Sequence, residues 1–391
     1  MQKFALADWY WRALAGIRAE TVIARHLQLQ PDGIVIQDRK YAHDAYERLY
    51  VYAVGKAALP MARAALQVLG SHVSGGLVVS HQSGQLPGLD YVLSSHPQVT
   101  ERSLQAARLL QAQFARHQPE DLVLFLLSGG ASAMMEEPQS GLTLAEFSAV
   151  NQALLTSGIP INALNVVRSA ISRVKGGRLA AATRARGEVL IVSDVIGDDL
   201  ATIGSGPMLS DRFRHTIIAS NRIALAALAS DLQRAGQPVE IVNTALEGSA
   251  EDCARVLAAK IRQLHDQGRY CILFGGECVT RVTGNGRGGR NQELALHLML
   301  QLQNDFEAGL QILCAGSDGL DGNSPAAGAF LDSEIYAVAK HKKLDARQFL
   351  QDSDSYTFFS QLGYAFEPGI TGTNVMDFVF VAKGLDGPNL H

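Results

Sequence analysis

The sequence predicts an α/β protein in which mainly parallel sheets are covered by helices. Three observations carry that prediction. Short β-branched and apolar runs alternate with longer Ala/Leu-rich stretches of helical period, the pattern of βα units. Several of those runs end in loops richer in glycine and polar groups than a plain connection needs, and ligands of such sheets sit beyond the carboxyl ends of the strands. The length of 391 residues, with 47% hydrophobic and 18% charged residues, is that of a folded protein with a large core and two or three domains.

In chain order, the first element is an amphipathic helix over 6–26, whose apolar character is interrupted by Asp8, Arg12, Arg18 and Glu20; it is neither a signal peptide nor a membrane span. Strands follow at 50–54 (YVYAV), 76–80 (GLVVS) and 122–127 (LVLFLL), the last being the most apolar. Helical period fills 56–69, 103–117, 144–157 and 162–171. Strands at 189–192 and 217–220 precede a helix at 222–235. AGQP around Gln237 then punctuates the chain and a fresh strand begins at 239–242, so the expected domains are 1–237 and 238–391. The second domain adds strands at 271–274 and 311–315 and helices at 249–267, 291–303, 333–341 and 346–351.

A formal net charge of −4 makes a nucleic-acid partner unfavourable, since no basic stripe offsets phosphate repulsion. Cys253, Cys271, Cys278 and Cys314 lack the spacing of a metal site and read as buried thiols in a reducing compartment, which makes a cytoplasmic location the expectation. No long exposed apolar helix announces a partner surface, and a membrane role has no support.

The segment Gly284–Arg290, GNGRGGR, packs four glycines and two arginines directly ahead of a helix that is apolar at Leu294, Leu296, Leu298 and Leu300. Glycine lets backbone N–H groups approach a ligand, the helix start offers unpaired N–H groups, and arginine adds forked donors, so a phosphate or carboxylate is the expected guest. A mobile surface turn has the same composition. Lys56, reached through Gly55 at a strand end, is unfavourable at a helix start unless an anion lies beside it. Ser128, Gly129, Gly130 and Ser132 suit an anion, although serine there also caps helices. Asn165, Arg168, Ser172 and Lys175 share one helical face. Asp194, Asp198 and Asp199 end one strand and Asp318 and Asp321 another; carboxylates so placed hold Mg²⁺ or accept a hydroxyl proton, while some serve only as turn and cap residues.

Taken together, VGKAA at Lys56, LLSGGASAMM, NVVRSAISRVKGGRLA, SDVIGDDLATIGSGP, GGECVTRVTGNGRGGRNQELAL, AGSDGLDGNSPAAGA and TGTNVMDFVFV resemble the glycerate 2-kinase family, historically also labelled hydroxypyruvate reductase, from about Val51 to Val381. The resemblance implies two Rossmann-like α/β domains, the C-terminal one of MOFRL type. It implies transfer of the γ-phosphoryl of MgATP to the C2 hydroxyl of D-glycerate. It also puts the family's catalytic lysine at Lys56 and its catalytic arginine at one of Arg287 and Arg290. The approach to TGTN, EPGITGTN, and the stretch HQSGQLPGLDYVLSSHPQ, which keeps His96-Pro97, depart from the family pattern.

Phosphoryl transfer needs the phosphates held, their charge stabilised and the hydroxyl oriented. The expected roles follow. Lys56 and an arginine of GRGGR neutralise the moving group, and Asp194 orients or deprotonates the C2 hydroxyl. Ser128, Gly129, Gly130, Ser132, Gly286, Gly288, Gly289, Asn291 and Glu293 hold phosphate or substrate, with Arg168, Lys175 or the second arginine on the glycerate carboxylate. Asp318 and Asp321 lie near Mg²⁺. Domain closure is expected of a kinase that must exclude water. The alternative is an NAD(P)H-dependent hydroxypyruvate reductase, because Gly284, Gly286 and Gly289 spell GxGxxG; Asp318 is too far beyond them for the usual spacing of about 20 residues.

Overall fold

The computed structural model describes residues 3–156 and 161–384, so the final residue of the helix expected at 144–157 lies outside the described residues. The chain forms two compact units, Arg18–Ser220 and Met1–Ile17 with Asn221–His391. The division therefore falls at Ser220 and not at Gln237, and the first residues belong with the C-terminal half. Their anchoring is apolar: Trp9 and Tyr10 are fully buried, the Tyr10 hydroxyl donates to the Gly316 carbonyl at 2.8 Å, and its ring meets Phe366 edge-on at 5.0 Å. The single helix expected over 6–26 is two, Lys3–Ala15 and Ala19–His26, and the break coincides with the change of unit.

The unit Arg18–Ser220 opens with a small antiparallel sheet of β1 (Leu27–Gln30), β2 (Gly33–Ile36) and β3 (Arg39–Ala42). Its main sheet contains β4 (Leu49–Val54), β5 (Val73–Ser80), β6 (Asp90–Leu93), β7 (Leu122–Ser128), β8 (Arg186–Val192) and β9 (Phe213–Ala219) in the order β6-β5-β4-β7-β8-β9, parallel throughout. Central β7 is buried along its whole length, which is why it reads as a continuous apolar run. The chain moves outward from β4 to β6, then returns to lay β7 on the other side of β4. That reversal opens a crevice at the carboxyl ends of β4 and β7, the place where ligands of open α/β sheets bind.

The other unit contains β10 (Val239–Ser249), β11 (Tyr270–Val279), β12 (Leu310–Gly316), β13 (Gly328–Asp332), β14 (Ala365–Phe366) and β15 (Asp377–Lys383) in the order β10-β11-β15-β12-β13-β14. Only β10 and β11 are parallel; the remaining neighbours are antiparallel, so the parallel character of the fold is concentrated in the first unit. Strand β15, absent from the sequence expectations, is the centre of this sheet. Its residues Phe378, Val379, Phe380 and Val381 are buried between β11 and β12, and each such side chain contributes roughly 1.5–3 kcal/mol. Ser249 caps the helix Ala250–Gln263 by accepting the Asp252 N–H at 3.0 Å, and Thr100 caps Glu101–Phe114 in the same way through Arg102. Among the described residues no helix is long and apolar enough to cross a membrane.

Candidate functional site

The crevice between β4 and β7 holds Lys56. Gly55, at φ 125°, turns the chain out of β4, and a Cβ there would lie 2.4 Å from both the carbonyl oxygen and the Oγ of Ser128. The Lys56 N–H donates to the Gly129 carbonyl at 2.8 Å, and the Ala57 N–H donates to Ser128 Oγ at 3.0 Å. Ser128 is 1% exposed and its hydroxyl serves this turn, so its expected role on a ligand gives way to a structural one. Ser132 is bonded to the Ser205 hydroxyl at 3.1 Å.

Gly129 and Gly130 make room for ionisable side chains. A Cβ on Gly129 would come within 1.8 Å of Asp194 Oδ2, and one on Gly130 within 2.9 Å of the His96 ring and 3.2 Å of Lys56 Cγ. Asp194, at the end of β8, lies 4.0 Å from Lys56 Nζ. Burial raises the pKa of its carboxyl, and the positive charge of Lys56 opposes that shift. A lysine and a basic carboxylate over a backbone floor can bind an anion and take up a proton.

The helix Ile161–Ala170 ends ahead of Ser172, so Arg168 and Lys175 do not share the expected helical face. Lys175 is 1% exposed and ion-paired with the fully buried Glu136, which also accepts from the Ser172 hydroxyl at 2.5 Å. Burial lowers the pKa of Lys175, and Glu136 is the charge that opposes this. Its reach toward a substrate carboxylate is therefore overturned: the ammonium neutralises a buried acid. Arg168 is half-buried, with Glu136 the acid that supports its charge.

The GNGRGGR loop also departs from expectation. Its backbone donors are engaged by the protein itself: Asn285 and Gly286 bond to Asp352, Arg287 to Asp354 at 2.8 Å and Gly288 to Asn323 at 2.8 Å. The start of helix Arg290–Gln301 is occupied by Asp321, whose carboxylate accepts from the Asn291 N–H at 3.1 Å, the Gln292 N–H at 2.9 Å and the Gln292 side chain at 3.0 Å. The guest at this helix start is thus a carboxylate of the chain. Burial raises the Asp321 pKa, to about 6, against the pull of those donors. Gly286, Gly288, Gly289 and Asn291 accordingly serve packing and capping. Glu293 stands 4.0 Å from His297 one helical turn on.

The two arginines differ. Arg290 bonds in a bidentate manner to Asp377, at 2.6 and 2.9 Å, and reaches Glu277 at 2.8 Å. Burial opposes its charge, but Asp377 more than offsets this and holds the pKa above the usual range. Arg287 is exposed, its guanidinium 4.7 Å above the Tyr356 ring.

The aspartates expected to hold Mg²⁺ do not fit it. Asp321 has both oxygens engaged by the helix start, Asp318 accepts the Leu320 N–H at 3.1 Å, and among the described residues no cluster of three or more His, Cys, Asp or Glu could hold a metal. Asp199 caps a turn through Thr202. His96 and His81 lie close enough to Lys56 to feel its charge; the pair HP at 96–97 is visible in the sequence, but its place at a strand end is not, because β6 is a short strand with no clear apolar alternation.

Two family models match the chain: "Domain of unknown function (DUF4147)" over residues 5–244 and "MOFRL family" over residues 270–377. A glycerate 2-kinase from Pyrococcus horikoshii is 31% identical, over 90% of this chain and 91% of that protein. A protein of Agrobacterium vitis, provisionally named hydroxypyruvate reductase, is 34% identical over 86% of this chain and 100% of its own length. A crystal structure of a glycerate kinase from Thermotoga maritima superposes with a TM-score of 0.86 at 29% identity, covering 96% of this chain and 98% of that one. The motifs, the family models and these likenesses extend over both units, and the chain belongs to the glycerate 2-kinase family.

Proposed function

We propose that the protein is an ATP-dependent kinase that phosphorylates the C2 hydroxyl of D-glycerate, giving 2-phospho-D-glycerate and ADP. The observation that supports this best is the Lys56–Asp194 pair at 4.0 Å, set over Gly129 at the crevice of the parallel sheet. In this reading the C2 oxygen attacks the γ-phosphorus, the bond to the β-phosphate oxygen breaks, and the hydroxyl proton passes to Asp194. A carboxylate with a raised pKa is the better proton acceptor, and Lys56 stabilises charge on the transferring oxygens.

One of Arg287 and Arg290 is the further phosphate cation of the proposal, and the other is the partner of the glycerate carboxylate. Arg290 is a fixed charge, oriented by Asp377 and Glu277, and Arg287 an exposed one over the Tyr356 ring. No step is assigned to a protein-bound Mg²⁺; the ion would come with the nucleotide, which binds it through phosphate oxygens. A cytoplasmic location, with ATP at hand and the four cysteines free, accords with this.

The reductase reading has less support. The glycines of its GxGxxG abut Asp352, Asp354 and Asp321, at 2.3 Å from a would-be Cβ in each case, where a dinucleotide would need space. The test is ADP release with D-glycerate and ATP, the phosphoglycerate isomer identified by NMR, beside hydroxypyruvate with NADPH. Formation of the 2-phospho isomer is expected; NADPH oxidation without ADP would replace the kinase by the reductase.

A further inference from the structure

Five neighbouring strands of the parallel sheet end in side chains or backbone that face one crevice. Lys56 follows β4, the Ser128–Gly130 turn follows β7 and Asp194 follows β8. On the other side of Lys56, His81 follows β5 and His96 follows β6. The His96 ring lies on Gly130, where a Cβ would be 2.9 Å from Cδ2 and 3.1 Å from Nε2, and the two imidazoles stand 6.3 Å apart between centroids. The kinase mechanism uses neither.

The backbone around both histidines is held, while the rings are open to solvent on one side. The Ser94 N–H donates to the Ser80 carbonyl at 2.8 Å, the Ser94 hydroxyl to the Met134 carbonyl at 2.6 Å, and Ser95 bonds to Thr100 at 2.6 Å, fixing the approach to His96. The Gln82 N–H donates to Ser80 Oγ at 3.2 Å and the Tyr91 hydroxyl to the Gln82 carbonyl, fixing the chain beyond His81. Among the described residues no hydrogen-bond partner is recorded for either imidazole. Rigidly presented polar groups without a protein partner are the usual makings of a ligand contact.

Chemistry selects the ligand. Lys56 and the turn amides offer only donors, which suits phosphate oxygens. Burial of the ring backs, and then the charge of Lys56, lower the pKa of both imidazoles, so each is neutral at pH 7 and carries one donor and one acceptor. A hydroxyl, itself donor and acceptor, is the complement. D-Glycerate has a second hydroxyl, at C3, that neither Lys56 nor Asp194 needs to engage when they act at C2.

We infer that His96, with His81 beside it, binds the acceptor substrate through its non-reacting hydroxyl and so sets specificity for a small hydroxy acid at the β5–β6 side of the crevice. This rests on the kinase reading. The test measures KM for D-glycerate and for ATP, and calorimetric binding of D-glycerate, in wild type, His96→Ala, His96→Asn and His81→Ala, with melting temperatures alongside. Loss of one such hydrogen bond should raise KM and Kd for D-glycerate about tenfold in His96→Ala. His96→Asn, which retains a donor and an acceptor, should recover part of it, and KM for ATP should stay within twofold. A D-glycerate KM and Kd within twofold of wild type in both His96 variants, or equal rises for both substrates, would overturn the inference. Binding is read without turnover. A wild type that binds D-glycerate yet forms no phosphoglycerate would remove the kinase reading and leave the His96 result to be judged on Kd.

Discussion

The turns 128–132 and 284–290 are both glycine-rich and both lie between a strand and a helix, yet their glycines do opposite things. In the first, the missing side chains leave space that Asp194, His96 and Lys56 enter, so three ionisable groups converge on bare backbone. In the second, the same absence lets Asp352, Asp354, Ser355 and Asp321 press against the loop, and the N–H groups of Asn285 and Arg287 bond to the carboxylates of Asp352 and Asp354. One turn is open to a ligand and the other is closed on the chain. Glycine content reports close approach; it does not report what approaches.

The largest test of this contrast is Lys56→Ala. If the first turn carries the reaction, turnover should fall by ~10³ or more, the scale of a cationic transition-state group. Near-normal turnover would remove Lys56 from the mechanism. Next are the glycines themselves. Gly129→Ala should cost about 10² in turnover by displacing Asp194, with a folded protein remaining. Gly286→Ala, whose Cβ would meet Asp354 Cβ at 2.3 Å, should instead lower unfolding free energy by about 1–3 kcal/mol and cost the folded enzyme less turnover than Gly129→Ala does. The reverse pattern in denaturant melts and kinetics would erase the distinction between the loops.

Asp321→Ala leaves the buried amides of Asn291 and Gln292 without their acceptor and should cost about 2–3 kcal/mol in a urea titration. An unchanged midpoint would mean that the helix start finds another partner. The smallest effect is in pH. Asp194 has a folded-state pKa raised above its unfolded value of 3.8, so its contribution to stability is present below 3.8 and lost as pH rises through the folded pKa. Asp194→Asn should therefore raise the melting temperature slightly at pH 7 while lowering turnover by about 10²–10⁴, the scale of a general base. In wild type the acid limb of kcat/KM should fall above the ordinary carboxylate range, and a limb at or below 3.8 would exclude Asp194 as the proton acceptor.

The parallel sheet is legible because β7 is apolar along its length, β8 ends in the apolar run VLIV, and the helices between strands keep a 3.6 period. The antiparallel strand β15 was overlooked although FVFVA is apolar, because its neighbours β11 and β12 come from distant parts of the chain and no local pattern announces an inserted central strand. The helix over 6–26 carried one continuous amphipathic signal across a break between units. Of the site, Lys56, Asp194 and the SGG turn are brought together at adjacent strand ends. Lys175, Asp321 and Asn291 were misplaced because a polar residue bound for a ligand and one bound for a buried partner look alike until that partner is known.

By itself the sequence determined the α/β class, the family and the chemistry at hand: a lysine and carboxylates at strand ends, with glycines beside them. Those follow from local periodicity and from motifs short enough to be read along the chain. Only the tertiary structure decided which groups were available. It placed β7 against β4, so that Lys56 met Asp194, and it turned Asp321 onto a helix start, Lys175 onto Glu136 and Arg290 onto Asp377. The physical reason is that a buried charge or an unpaired N–H must find a partner, and the partner is chosen by folding, across scores of residues that no sequence window spans.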